Sequence, residues 1–324
     1  MTSGSTPRLR LLDAMTLGDD VSLAPLDALG SLTVHELTAP GELAARVADA
    51  DVVVTNKVVL TRHTLEEAHD LRLVALTATG TNNVDLDACR DLGIAVTNVS
   101  GYSTESVAQH TLALALQLVG RMPHYQRYVA DGAYRGSPIF THYGPRWHEL
   151  ANSRWGIVGM GAIGRRVAEL ATAFGAGVVY HSTSGHSSHP VHEHLPLEEL
   201  LSTSDVVTIH CPLNAATRAL IGERELALMK QEAVLVNVAR GGIVVEDALA
   251  HAIRAERIAG AATDVFVEEP LSVDSPLHAV LGSERFIATP HSAWLSVEAR
   301  TRLVHEVAAN IGAFLRGEQR NRVV

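Results

Sequence analysis

The chain has little of what marks secreted, membrane or nucleic-acid-binding proteins. Cys89 and Cys211 are its only cysteines, which argues against a disulfide scaffold and favours a reducing compartment. The formal charge is −10, so the basic excess that nucleic acid binding needs is missing. The most apolar helix-like run, Thr111–Val119, is too short to cross a bilayer, and the first residues lack the apolar core of a signal peptide. These absences predict a cytoplasmic protein.

What is present predicts an α/β protein of two domains. A length of 324 residues exceeds one ordinary core, and 47% hydrophobic with 19% charged residues is typical of a globular chain. Strand-like and helix-like segments alternate almost throughout, which favours parallel sheets covered by helices. We expect a smaller domain built from residues 1–103 and 294–324, interrupted by a second domain at 104–293.

The predicted elements are short apolar runs separated by helical patterns. The smaller domain has predicted strands at Leu9–Leu12, Asp51–Thr55, Leu73–Thr77 and Ile94–Thr97, and helices near Gly41–Ala48, Leu65–His69 and Val84–Asp91. The second domain has predicted strands at Trp155–Val158, Val178–Tyr180, Val206–His210, Val234–Val238, Ala259–Asp264 and Arg285–Ala288, and helices near Leu197–Leu201, Glu223–Met229 and Glu246–Ala255. A long apolar helix at Ser103–Gly120 marks the crossing between domains, residues 131–152 look irregular, and a last helix at Val297–Arg316 returns to the smaller domain.

The most informative stretch is a strand, a glycine-rich turn, a helix and a second strand between Trp155 and Thr183. The turn reads GMGAIG, and each of its three glycines has a physical reason. Gly159 permits the tight turn, Gly161 has no Cβ to hold a pyrophosphate away, and Gly164 lets the helix lie close to the strand. The amide groups at the helix start favour phosphate. In this context the turn predicts dinucleotide binding rather than a purely structural turn.

Three polar clusters follow apolar strands of the second domain. Arg240 lies in VNVARGG, Asp264 and Glu269 lie in DVFVEEP, and His291 lies in TPHSAW. Ligands of open parallel sheets bind beyond the carboxyl ends of strands, where all three clusters are expected. Taken singly, each residue also fits a structural role, such as a carbonyl cap or a solvated loop.

Together these residue types match the needs of hydride transfer to a 2-keto acid. A histidine can donate a proton to the developing alkoxide. A neighbouring carboxylate stabilises the charged imidazole and selects its tautomer. The planar fork of an arginine grips a carboxylate through two hydrogen bonds.

The chain resembles the D-isomer-specific 2-hydroxyacid dehydrogenase family over nearly its full length. The matching motifs are ATGTNNVD (78–85), GYSTESVAQHT (101–111), GIVGMGAIG (156–164), HCPL (210–213), VNVARGG (236–242), DVFVEEP (264–270) and TPHSAW (289–294). Three of them, GTNN, GYSTESVAQHT and the Trp after the histidine, resemble the glycerate dehydrogenase (hydroxypyruvate reductase) branch. The resemblance implies a Rossmann-type doubly wound parallel sheet inserted into a smaller flavodoxin-like α/β domain, and a homodimer formed through the nucleotide domain.

The resemblance also implies roles for individual residues. His291 is the acid/base, Glu269 its partner and Arg240 the substrate clamp. The amides of Thr79, Gly80 and Thr81 hold the substrate carboxylate, and Trp294 limits the size of the pocket. The implied cofactor-binding residues are Val107, Thr111, Gly159, Met160, Gly161, Ala162, Ile163, Gly164, Ser182, Thr183, Ser184, Cys211, Pro212, Val238, Ala239, Arg240, Asp264 and His291. Among these, Asp264 takes the nicotinamide carboxamide, while Cys211 and Pro212 border the adenine pocket.

The sequence departs from the NAD-preferring pattern after the second strand of the unit. The usual ribose-binding Asp is replaced by Ser182, followed by Thr183 and Ser184. Without the acid a 2′-phosphate is not repelled, yet no Lys or Arg lies between Arg166 and Arg218. We therefore expect NADH to be used and NADPH tolerated.

The same loop is rich in histidine. His181, His186, His189, His192 and His194 raise the possibility of a metal site. They lack regular ligand spacing and nearby cysteines, so we predict no metal and a solvated loop, with some imidazoles able to assist phosphate binding at low pH.

The favoured function is an NAD(P)-dependent dehydrogenase that reduces a small 2-keto acid such as hydroxypyruvate or glyoxylate to the D-hydroxy acid. An alternative is a dinucleotide-sensing binding protein on the same scaffold, like the corepressors that resemble these dehydrogenases. A methyltransferase would leave the Arg, Glu and His clusters without a task.

Overall fold

The fold is taken from a computed structural model that describes residues 6–185 and 189–324. The chain divides into two compact units. The first consists of Met1–Ser103 with Leu295–Val324, and the second of Thr104–Trp294.

The first unit contains a parallel sheet of five strands. They are β1 (Arg8–Leu11), β2 (Ser31–Val34), β3 (Val52–Thr55), β4 (Leu73–Leu76) and β5 (Ala95–Thr97). Their order in the sheet is β2-β1-β3-β4-β5, which is the flavodoxin-like order. The connecting helices are α1 (Ala24–Asp27), α2 (Pro40–Val47), α3 (Arg62–Glu67) and α4 (Leu86–Leu92), with a 3₁₀ turn at Ala14–Leu17.

The second unit contains a parallel sheet of seven strands. They are β6 (Arg154–Val158), β7 (Gly177–His181), β8 (Glu193–His194), β9 (Val206–Ile209), β10 (Val234–Asn237), β11 (Gly260–Thr263) and β12 (Phe286–Ala288). The order β12-β11-β10-β9-β6-β7-β8 reverses direction beside β6, as in a Rossmann sheet, so a ligand crevice is expected at the carboxyl end of β6.

Helices cover both faces of this second sheet. They are α5 (Thr104–Val119), α6 (Met122–Ala130), α7 (Ala162–Ala173), α8 (Leu197–Thr203), α9 (Glu223–Leu228) and α10 (Glu246–Arg254), with 3₁₀ turns at Ala133–Gly136 and Pro276–Ala279. Alternate residues of β10 enter different cores: Leu235 packs with the α8–α10 side, and Val236 packs with α5 and α7. The strands are therefore apolar on both faces. The last helix, α11 (Val297–Leu315), belongs to the first unit.

The predicted α/β class is confirmed. Each predicted strand begins and ends within one residue of the strand in the structure. Four elements escaped prediction: α1, β2, α6 and β8. α6 buries none of its residues, so it does not contribute to the core of this chain. β2 is an edge strand with three of its four residues exposed, and β8 has only two residues. Within the described ranges, no helix has the length and apolar character that crossing a membrane would require.

Candidate active site

Three neighbouring strands carry the polar clusters to one edge of the second sheet. Arg240 follows β10, Glu269 follows β11 and His291 follows β12. These three strands are adjacent and parallel, so their carboxyl ends meet at the same edge. The sequence analysis expected this common edge.

The imidazole of His291 is hydrogen-bonded to Glu269, with Nδ1 2.7 Å from Oε2. The other carboxylate oxygen, Oε1, accepts from the N–H of Phe266 at 3.1 Å. Since an ionised carboxylate only accepts hydrogen bonds, the Nδ1 atom carries the proton in this pair. Nε2 has no partner among the described residues, and the side chain is 28% exposed. Nε2 is therefore the atom that can exchange a proton with a ligand.

A buried carboxylate holds the loop that carries His291. Asp264 has no exposed surface. Its Oδ1 accepts from the Thr289 hydroxyl at 2.5 Å and from the Ser292 N–H at 2.8 Å, and Oδ2 accepts from the Ala293 N–H at 2.9 Å. The backbone carbonyl of Asp264 accepts from the His291 N–H at 2.8 Å. This set of bonds wraps residues 289–293 around one carboxylate.

The wrapped loop keeps His291 in an unusual conformation. Its φ is +51°, in the left-handed region, which costs a residue other than glycine about 1–3 kcal/mol unless its surroundings hold it there. The bonds to Asp264 supply that support. The resemblance assigned Asp264 to the nicotinamide carboxamide, and its support of the loop that carries His291 was not anticipated.

Arg240 lies in a turn closed by Asn237. The buried Asn237 amide donates to the Arg240 carbonyl at 3.0 Å, and its oxygen accepts from the Ala239 N–H at 3.1 Å. A Cβ at Gly241 would lie 1.8 Å from the Phe266 carbonyl oxygen, so glycine is needed for the turn to pass beside the segment that leads to Glu269.

The guanidinium of Arg240 is available to an anion. The residue is exposed, its Nη1 donates to the Ala239 carbonyl at 2.7 Å, and within the described residues it has no acidic partner. An unpaired cation beside the His–Glu pair suits a negatively charged substrate.

The glycine-rich turn has the geometry of a dinucleotide cradle. Gly159 adopts φ +100°, and a Cβ there would lie 2.6 Å from the Cys211 nitrogen. A Cβ at Gly164 would lie 2.2 Å from the Gly159 carbonyl oxygen. A Cβ at Gly161 would meet no protein atom within 4 Å. Packing therefore explains the first two glycines, whereas the open space at Gly161, where α7 begins, is left for a ligand.

The adenosine-side residues predicted from the sequence meet at the ends of β7 and β9. Thr183 hydrogen-bonds to the thiol of Cys211, and burial raises the pKa of that thiol to about 11. Ser182 is buried and Ser184 is exposed. The structure thus brings the Ser182–Ser184 segment to the Cys211-Pro212 turn.

His210 precedes the same turn. The sequence analysis quoted it only within the HCPL motif and gave it no role of its own. Both ring nitrogens are buried without a hydrogen-bond partner in the described residues, and desolvation lowers the pKa to about 3. A neutral imidazole with an unsatisfied donor and acceptor is costly in a protein interior. Its carbonyl carbon would lie 2.9 Å from a Cβ at Gly159, so these atoms border the cradle. The orphaned nitrogens fit a polar ligand there.

The remaining predicted residues of the second unit either pack in its core or lie in the turns that follow β6 and β10. Val107 and Met160 are buried, and so is Thr111, whose hydroxyl donates to the Val107 carbonyl at 2.7 Å. Val238 and Trp294 pack against the same core. Ala162, Ile163 and Ala239 lie at the first turn of α7 and in the turn after β10.

In the first unit, Thr79, Gly80 and Thr81 follow β4. The Thr79 hydroxyl donates to the Val99 carbonyl at 2.7 Å, and the Asn98 side chain donates to the Thr79 carbonyl at 2.7 Å. The backbone N–H groups of these three residues have no acceptor within the described chain. They are thus free to bind an anion.

Several histidines of the histidine-rich loop have partners within the chain. His181 bonds to the Leu195 carbonyl, and His189 stacks on His192 at 4.5 Å. Burial and the nearby His189 lower the pKa of His192, which works against a phosphate-binding role. His186 lies outside the described residues. Among the residues that are described, no group of three or more His, Cys, Asp or Glu side chains has the arrangement of a metal site.

Comparisons with known proteins agree with the geometry. The model of the NAD-binding domain of D-isomer-specific 2-hydroxyacid dehydrogenases matches residues 112–293. A hydroxypyruvate reductase of Blautia hydrogenotrophica is 34% identical over 325 aligned residues, covering 98% of this chain and 99% of that protein. A glyoxylate reductase of Aeropyrum pernix is 41% identical over 264 residues, covering 78% and 76%.

A solved structure extends the likeness to three dimensions. The D-lactate dehydrogenase of Aquifex aeolicus, crystallised with NAD and lactic acid, superposes with a TM-score of 0.82 at 28% identity and covers 96% of each chain. With its two parallel sheets, its dinucleotide cradle and its paired His and Glu, the chain belongs to the D-isomer-specific 2-hydroxyacid dehydrogenase family.

Proposed function

We propose that the protein transfers a hydride between NAD(P)H and C2 of a small 2-keto acid, and that it reduces hydroxypyruvate to D-glycerate or glyoxylate to glycolate. The observation that carries the proposal is the His291–Glu269 bond of 2.7 Å at the same sheet edge as the unpaired Arg240. The names of the hydroxypyruvate and glyoxylate reductases above support the substrate class.

In this proposal His291 holds and moves the proton. Glu269 binds the Nδ1–H, so the second proton of the imidazolium is on Nε2, where a carbonyl oxygen can receive it. As the carbonyl becomes an alkoxide, Nε2 donates its proton and the ring becomes neutral. In the reverse direction neutral Nε2 accepts the hydroxyl proton. Glu269 stabilises the charged form and prevents the ring from rotating.

The proposed substrate contacts use groups that can bind an anion. Arg240 offers two parallel N–H donors to the carboxylate and polarises the carbonyl next to it. We assign the free amides of Thr79, Gly80 and Thr81 to carboxylate binding, as the resemblance to the family implies. Trp294 limits the size of the substrate side chain. We assign the first unit to the substrate and the second to the cofactor.

The cofactor would be held by the cradle. Its pyrophosphate would lie at Gly161, Ala162 and Ile163, where the first amides of α7 have no intrahelical acceptor. Val107, Thr111, Val238 and Asp264 would border the nicotinamide, and Cys211 and Pro212 the adenine. When bound, the reduced nicotinamide supplies the hydride.

A panel assay tests the activity. Purified protein is mixed with hydroxypyruvate, glyoxylate, pyruvate or larger keto acids, and the loss of NADH or NADPH absorbance is followed. We expect turnover on the small hydroxylated or unsubstituted acids. Turnover on none of them would refute the enzyme and favour the dinucleotide-sensing alternative, which neither the geometry nor the relatives support.

Two variants test the assigned roles. His291→Ala should lower kcat by about 10³-fold, the scale of one lost acid/base group, and leave the NADH Kd within about twofold. Arg240→Ala should raise KM for the keto acid, with a smaller loss in kcat. Wild-type turnover in His291→Ala would show that another group moves the proton.

We propose weak discrimination between the two cofactors. Ser182, Thr183 and Ser184 offer hydroxyls to a ribose or to a 2′-phosphate but no charge of either sign. We expect the kcat/KM values for NADH and NADPH to differ by less than about a hundredfold, or ~2.7 kcal/mol. A larger preference for either cofactor would contradict this.

We also propose a homodimer formed through the second unit. α6 buries none of its own residues, and the segment after it exposes Phe140 and Tyr143, each at 89%. Large aromatic side chains exposed in this way are typical of an interface. Light scattering should give about twice the chain mass of 34.6 kDa. Phe140→Ser with Tyr143→Ser should give the monomer, and Val273→Ser, which alters a valine exposed to 86%, should not.

We propose a cytoplasmic location from the chemistry of the two cysteines. Both cysteines are free and buried, as expected in a reducing compartment. Cell fractionation should recover the protein with cytoplasmic markers, and recovery with secreted or membrane fractions would refute the assignment.

A further inference from the structure

Two side chains of α5 contact the loop that carries the proposed acid/base histidine. The Ser106 hydroxyl donates to the Ala293 carbonyl at 2.7 Å. One turn further along, His110 Nε2 lies 3.1 Å from the Thr289 hydroxyl oxygen. Residues four apart lie on one face of a helix, so both ends of the loop 289–293 meet the same face of α5.

The direction of the bonds from His110 is determined by chemistry. The Thr289 hydroxyl has one proton and gives it to Asp264 Oδ1 at 2.5 Å. Its oxygen must then accept from Nε2–H of His110, which selects the Nε2–H tautomer. A chain of hydrogen bonds thus runs from His110 through Thr289 to Asp264.

This chain ends on the carboxylate that supports the left-handed backbone of His291. Asp264 has no exposed surface, and the side chain of His110 is 23% exposed. Hydrogen bonds that end on a buried charge are strong and reinforce one another. His110 Nε2 is also only 3.6 Å from Asp264 Oδ1, so the ring faces the negative charge directly.

We propose that His110 is a positioning residue for the acid/base chemistry: through Thr289 and Asp264 it holds the loop in the conformation in which His291 meets Glu269. This inference rests on the proposed function, since it concerns the same proton transfer. In this proposal His110 does not contact the reacting groups. Its loss should therefore lower the fraction of molecules with a correctly placed His291.

Three variants on α5 separate positioning from packing. His110→Leu removes the donor and keeps the bulk. His110→Gln places an amide nitrogen the same number of bonds from the backbone as Nε2, so it restores the donor. Gln117→Leu is the matched control, because Gln117 is an exposed polar residue of the same helix and, among the described residues, its side chain bonds only to the Ala113 carbonyl.

For His110→Leu we expect kcat to fall about tenfold, with KM for the keto acid and Kd for NADH within about twofold, since misplacement of a catalytic group reduces turnover without removing binding contacts. His110→Gln should recover kcat to within about threefold of the wild type. Gln117→Leu should not change it. Equal losses in His110→Leu and His110→Gln, or an unchanged kcat in His110→Leu, would overturn the proposal.

A double-mutant cycle tests the chain of bonds. Thr289→Val interrupts it at the second link, and Thr289→Ser keeps the hydroxyl. If His110 acts through Thr289, the double variant His110→Leu/Thr289→Val should be no slower than Thr289→Val alone. Multiplied losses would mean that the two residues act separately, against the inference.

Failure of this inference differs from failure of the proposed function. If the wild type turns over no 2-keto acid, the function is wrong. If the wild type is active and the His110 variants behave like Gln117→Leu, only the positioning role is wrong. Thermal unfolding of each variant, with a Tm near that of the wild type, shows that a lost kcat is not a loss of folding.

Discussion

Replacing Glu269 by Gln is the sharpest test of the acid/base pair. The two carboxylate oxygens have two different donors: His291 Nδ1 at 2.7 Å and the Phe266 N–H at 3.1 Å. Glutamine has one oxygen and an NH₂ group, so it can accept from only one of them. Whichever way the amide turns, its NH₂ group faces either the His291 Nδ1–H or the Phe266 N–H, so two donors meet.

The magnitude follows from what is lost. The His291 ring loses its negative partner, and either its Nδ1–H or the Phe266 N–H loses its acceptor. A charge-assisted hydrogen bond contributes about 1.5–3 kcal/mol. If this stabilisation is realised mainly while the imidazole is charged, turnover should fall by about 10- to 100-fold, that is ~1.4–2.7 kcal/mol in the barrier. The affinity for NADH should not change.

The assay is kcat for keto acid reduction, measured for each variant at the same pH. We expect a lower kcat, because the protonated ring has lost its counter-charge. Glu268→Gln is the control, since it removes the neighbouring exposed carboxylate and leaves the His291 bond in place. If Glu269→Gln and Glu268→Gln both have the kcat of the wild type, the pair does not carry the proton transfer.

Two further predictions concern the cofactor region. Gly161→Ala should keep the Tm within a few degrees, because its Cβ enters open space, but it should weaken NADH binding at least tenfold, because that space is where the pyrophosphate would lie. Gly164→Ala should lower the Tm, since its Cβ would lie 2.2 Å from the Gly159 carbonyl oxygen. Calorimetry measures the Tm and NADH fluorescence measures binding, and equal Tm losses in the two variants would contradict the distinction. Cys211, whose pKa is raised to about 11, should stay protonated at pH 8 and resist iodoacetamide, and its labelling rate should increase about tenfold for each unit by which the pH is raised toward that pKa. Mass spectrometry of the labelled peptide measures the rate, and rapid labelling of the folded protein at pH 8 would refute the burial argument.

Much of the fold could be predicted from local patterns. The strands of both sheets are short runs of buried apolar residues, so their positions are evident without knowledge of their neighbours. α6 and β2 were not found in this way, because they are not runs of buried apolar residues: α6 buries none of its residues, and three of the four residues of β2 are exposed. The order of strands in each sheet depends on contacts between distant segments, and alternation alone constrains it only to parallel pairing.

The chain by itself determined the chemistry available to the protein: a cradle of glycines, an arginine, two acids and a histidine, each after an apolar strand. Those features are local, since they depend on residue type and spacing. Only the tertiary structure decided which groups touch. Glu269 and His291 are 22 residues apart, and His110 and Thr289 are 179 apart. Contacts over such separations arise when neighbouring strands bring their ends together and α5 packs beside them, so no local pattern could reveal that Asp264 supports the loop that carries His291 or that His110 bonds to it.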